Sequence, residues 1–155
     1  MNTPCTDSGI GVRRLLTESV VAGTIGAVAM MPFGLAFRMF GMRVGHYGPK
    51  FAALYLDAPG PLAMFVQHLV LGWLSALPLV LLSPQRGDQG RAVATGASYG
   101  VLYYVAVNAL ALPLYFQDPL PITLGVAVVV PSLVVHVAFG VAVAVGLRLW
   151  RRRAW

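Results

Sequence analysis

Charge is what this chain has least of. Asp, Glu, Lys and Arg make up 10% of its 155 residues, where a soluble domain carries about a quarter. Hydrophobic residues reach 58%, more than so short a soluble chain can hide from water. Lipid must take the place of water around the outside. Cysteine is nearly missing: Cys5 stands alone, which excludes an intrachain disulfide and a CxxC redox or zinc site. Carboxylates are scarce, and none lies inside an apolar stretch; Glu18 borders the first. There is no Ser-His-Asp set, no phosphate loop and no HExxH, so nothing points to hydrolysis or group transfer.

The net charge of +6 does not mark a nucleic-acid binder. Ten of the eleven basic residues are Arg, clustered beside apolar runs rather than spread over a face with interleaved aromatics. Arg13-Arg14 ahead of an apolar run outlines a secretory signal, but the run extends over 19–37, longer than a signal core, and no A-x-A site closes it. It reads as a retained first span.

Four stretches hold no charge: 19–37, 58–85, 92–117 and 119–147. Each has room for the roughly 20 apolar residues that cross a bilayer as a helix. Continuous runs exclude a barrel, whose strands alternate. The expectation is an all-α polytopic membrane protein, one domain over 1–155, with helices near 17–37, 61–82, 93–116 and 122–148. Short connections at 84–90 and 117–121 predict an up-down-up-down bundle. With the N-terminus inside, Arg13, Arg14, Arg86, Arg91, Arg148, Arg151, Arg152 and Arg153 are cytoplasmic, against Arg38, Arg43 and Lys50 outside. That asymmetry predicts both termini in the cytoplasm of a bacterial inner membrane. Trp150 and Trp155 read as interface anchors, and Glu18 as a partner of Arg13 or Arg14.

The loop over 38–60 is long and apolar. Phe51, Leu54 and Tyr55 would share one face of a short interfacial or re-entrant helix stopped by Pro59-Gly60-Pro61. Gly23 with Gly26, and Gly96 with Gly100, are expected at helix contacts, since small residues let backbones approach in lipid. Pro32, Pro78, Pro113 and Pro131 predict a kink in each span. Tyr99, Tyr103 and Tyr104 read as core and lipid contacts. Asp57 and Asp118 are loop carboxylates that could sit at a mouth.

Two histidines stand in matching places. His68-Leu-Val-Leu-Gly72 lies in the second span and His136-Val-Ala-Phe-Gly140 in the fourth, both running the same way, which suggests a duplicated helical hairpin. Polar groups at bilayer depth cost energy unless paired, so they face inward and often mark a site. Gly72 and Gly140, one turn along the same faces, leave room for a flat ligand or for another helix. The candidate site is therefore His68, His136 and Asn108 with Gly72 and Gly140, holding haem, a metal ion or a small polar molecule; His46 is a third candidate metal ligand. The bland reading is structural glue, each ring bonded to a carbonyl or amide of a neighbouring helix. A small oligomeric transporter or channel subunit, or an accessory subunit of a larger complex, are the alternatives. The Met30, Met31, Met39, Met42 and Met64 cluster suggests packing more than copper.

On GTIGAVAMMPFG, GVLYYVAVNALALP and HVAFGVAVAVGL, the chain resembles the YagU-type group of uncharacterised bacterial inner-membrane proteins and their small four-span relatives. The resemblance implies an inner-membrane bundle and no particular reaction, so no functional residue is carried over.

Overall fold

The computed structural model describes residues 11–83 and 88–154. Cys5, Arg86 and Trp155 lie outside them, as does most of the 84–90 connection. Among the described residues the elements are helices: α1 Val12–Met39, α2 Tyr47–Ala52, α3 Pro61–Leu82, α4 Gln89–Tyr103, a π-helix Tyr104–Ala111, α5 Leu112–Phe116, a 3-10 turn Pro121–Leu124 and α6 Val126–Ala154. Four helical rods, Val12–Met39, Pro61–Leu82, Gln89–Phe116 and Val126–Arg153, are long and apolar enough to cross a membrane. The protein is an all-α, multi-pass membrane bundle.

The rods run past the expected spans where arginine, a good helix former, extends them: α1 starts ahead of Arg13 and α6 continues through Arg153. Asp88 caps α4 by accepting from the Arg91 amide at 2.7 Å. Pro113 has no amide hydrogen and its ring crowds the carbonyl four residues back. The helix ahead of it is widened into the π turn, which carries Asn108 at its centre.

Glycine sets how close the rods come. A Cβ on Gly23 would lie 2.7 Å from the Gly72 carbonyl, and one on Gly96 would lie 2.7 Å from the Val141 Cα. A Cβ on Gly26 would meet Val143 and Phe139. So α1 packs along α3, α4 along α6, and α1 along α6. A two-fold axis relating the hairpins would require α3 and α4 to pack as α1 and α6 do. They stand apart instead. The glycine crossings repeat, but the second seam is splayed.

Tyrosines bridge that splay. Tyr99 donates to the Ser75 carbonyl, and the Tyr103 and Ser75 hydroxyls lie 2.7 Å apart. These rings are more than core and lipid contacts: a phenol hydroxyl in lipid needs a partner, and Ser75 provides it. Ala22, Ala76, Leu79, Val80, Phe139, Val143, Ala144 and Leu147 form a packed core in the half of the bundle that ends in the arginines. Leu16, Val20, Leu62, Val66, Leu102 and Val130 face outward, a surface suited to acyl chains.

An ion-pair cluster closes the arginine-rich end. Glu18 is 1% exposed, with Arg14 Nε at 2.9 Å and Arg151 Nη2 at 2.6 Å. Arg151 also donates to the Ser83 and Val80 carbonyls, which end α3 and have no partner of their own along the helix. The Arg14 pairing is the expected one; Arg151, a cytoplasmic charge by sequence, is the buried partner.

Candidate functional site

Where the packed core stops, a cavity begins. It has a volume of about 540 Å³ and fills the other half of the bundle, with walls from α1, α3, the π turn and α6. Met30, Met31, Leu71, Val107, Leu112, Val128, Val135 and Phe139 give it an apolar lining. His68, His136, Asn108 and Gly72 all line it, and His46 stands at its mouth. Gly140 does not. Its missing side chain is occupied by Gly96 and Gly100 of α4, and that of Gly72 by Ala27 and Gly23 of α1. The room beside each imidazole is taken by a helix, not left for a flat ligand.

Hydrogen bonds fix the two ring tautomers. A carbonyl can only accept, so His68 Nε2 donates to the Ala27 carbonyl at 3.0 Å, leaving Nδ1 as the acceptor. His136 Nδ1 donates to the Ser132 carbonyl at 2.6 Å, leaving Nε2 as the acceptor, and the Asn108 amide donates to it at 2.9 Å. The two rings are opposite tautomers. Tyr103 stacks against His136 with centroids 5.7 Å apart. Each ring is therefore anchored to a helix, as structural glue would be, yet both border one interior space.

These bonds bear on the ligands expected from sequence. A haem axial ligand or a metal needs an imidazole lone pair. The lone pair of His136 is taken by Asn108, and that of His68 is on the ring nitrogen opposite the Ala27 bond. Among the described residues there is no group of three His, Cys, Asp or Glu side chains placed to hold a metal ion. His46 is turned to Asp118 instead.

The mouth is covered by α2. Lys50 reaches both carboxylate oxygens of Asp118 at 2.5 and 2.6 Å, and His46 donates to the same carboxylate at 3.2 Å. The Lys50 bonds, aided by His46, hold the Asp118 carboxyl below the usual carboxylate range. Partial burial, with Asp118 nearby, pushes the Tyr47 hydroxyl up. Tyr47 stacks on Phe116, centroids 5.9 Å apart. On the α3 side, Gln67 donates to the Gly48 carbonyl at 2.9 Å and accepts from Tyr55. The helix expected to carry Phe51, Leu54 and Tyr55 is shorter, ending at Ala52, so only Phe51 of the three faces the cavity. Positive φ at Gly41 and Gly45 lets the chain fold back to bring α2 over the opening.

The sequence suggests Asp118 as a loop carboxylate that could sit at a mouth and Lys50 as an outside charge, but not that the two pair. No family model matches the chain, and neither the curated proteins nor the solved structures contain a match.

Proposed function

We propose that this protein is a membrane-embedded binding module for a small organic molecule, held in the cavity between α1, α3, the π turn and α6. The observation that carries the reading is the cavity itself. At about 540 Å³ it is in the size range of small-molecule sites, mostly apolar with a few convergent polar groups. Packed side chains at Ala76, Leu79, Val143 and Leu147 fill the arginine-rich half. That packed floor favours a binding site over a continuous pore.

The setting we propose is a bacterial inner membrane, as the resemblance to YagU-type proteins implies, with the arginine-rich end in the cytoplasm. The mouth under α2 then opens on the outer side.

The test is mass spectrometry of the protein released intact from native membranes in mild detergent. Wild type should carry an organic molecule near one-to-one. Val128→Trp, which puts an indole into the cavity from α6, should lose it while remaining folded. Identical adducts on both proteins, or none on either, would refute the binding role.

A further inference from the structure

The polar atoms that line the cavity are not neutral in what they ask of a ligand. Its charged lining residues among those described, Arg43 and Asp118, both belong to the mouth, and Asp118 is matched there by Lys50. The deep polar residues are His68, Ser75, Tyr103, Asn108, Ser132 and His136, and none carries a fixed charge. An ion placed among them would lose its hydration for no countercharge.

The hydrogen bonds then decide which atoms are left. His136 has both nitrogens engaged. Ser75 and Tyr103 share one hydrogen bond, so one of their two O–H groups is left as a donor, as is the Ser132 hydroxyl. His68 has spent its one N–H on Ala27, so what it has left is the Nδ1 lone pair, with no partner among the described residues. Asn108 gives one of its two amide hydrogens to His136, and its carbonyl oxygen Oδ1 is left as an acceptor with no partner among the described residues. Two strong acceptors, one on α3 and one on the π turn, line one apolar space.

We infer that the cavity takes an uncharged apolar molecule whose polar group, a hydroxyl or N–H, donates a hydrogen bond to His68 Nδ1 or Asn108 Oδ1. This rests on the binding role proposed above and names its ligand class. A ligand with only acceptors leaves both lone pairs unmatched, and a buried unpaired group is costly. The ligand's apolar body lies against Met30, Leu71, Val128 and Phe139. The fixed tautomer of His68 is what makes the site selective, because a ring free to move its proton would accept either kind of partner.

The probes are 4-butylphenol, its methyl ether and 4-butylbenzoate, which share a skeleton and differ in donor, acceptor and charge. Binding to the full chain in nanodiscs is measured by calorimetry, with protein-free nanodiscs subtracted. The phenol should bind about tenfold more tightly than the ether, a factor of ten being about 1.4 kcal/mol, within the range of one hydrogen bond. The double variant His68→Phe with Asn108→Leu should narrow that gap to about twofold by weakening the phenol alone. Equal binding of phenol and ether, or tightest binding of the benzoate, with all three lost in Val128→Trp, would overturn the ligand class and leave the binding role standing. No probe binding wild type better than Val128→Trp would overturn both. The comparison among probes on wild type holds even where a variant fails to fold.

Discussion

Removing the Glu18 carboxylate should destabilise the bundle sharply, and the size of the loss follows from the geometry. Arg151 is 7% exposed and gives two bonds to Glu18, through Nε at 3.1 Å and Nη2 at 2.6 Å. In Glu18→Ala it keeps only the Val80 and Ser83 carbonyls, which are dipoles and not countercharges. Breaking one side of a buried pair costs 3–5 kcal/mol in general, because a charge is left without its partner. Arg14 reaches the cluster from a position 28% exposed, so water relieves part of the loss. About 3 kcal/mol is therefore expected. Reversible unfolding in mixed micelles, or steric trapping in bicelles, measures it. The double variant Glu18→Leu with Arg151→Met removes both charges and should recover to within about 1 kcal/mol of wild type. A Glu18→Ala protein as stable as wild type would refute the reasoning, as would a double variant no better than the single one.

Three further outcomes are expected. Gly140→Leu should prevent α4 and α6 from meeting, since even a Cβ there would overlap Gly96 and stand 2.9 Å from the Gly100 nitrogen; loss of the folded monomer in detergent by size exclusion checks it. His136→Phe should cost about 1–3 kcal/mol by orphaning the Asn108 amide, and adding Asn108→Leu should restore part of it, a coupling that a double-mutant cycle reads. Because the folded Asp118 carboxyl sits below its ordinary value of 3.8, its clamp on α2 stabilises above that pH and is lost as pH falls through the lower folded value. Amide exchange over Tyr47–Ala52, corrected for intrinsic rate, should stay slow at neutral pH and rise only below about pH 4; Asp118→Asn should raise it at neutral pH.

The four rods were legible because length and continuous hydropathy are local properties, readable without knowing any partner. Gly23, Gly96 and Gly100 were legible as contacts for the same reason, since a missing side chain means close approach wherever the neighbour lies. Partners were not legible. Lys50 and Asp118 are 68 positions apart, and nothing in either neighbourhood says that α2 folds back to the loop before α6. Arg151 sits in a run of three arginines that reads as cytoplasmic charge. A signal did exist: Val143, Leu147 and Arg151 recur every four residues, so the arginine shares the face that enters the core. The histidine pair located the cavity, but tautomers depend on carbonyls of α1 and α6 that spacing cannot supply. The splay between α3 and α4 was hidden as well, since the repeated H-x-x-x-G suggested a symmetry that the packing of α1 on α6 breaks.

The most direct measurement is an experimental density map of the wild-type protein in lipid nanodiscs, at a resolution that separates side chains. The expected result is a non-protein feature in the cavity beneath α2, with one end in hydrogen-bond reach of His68 Nδ1 or Asn108 Oδ1. A cavity collapsed by inward movement of Phe139 and Leu71, with the two imidazoles on opposite sides of closed helix seams, would contradict it.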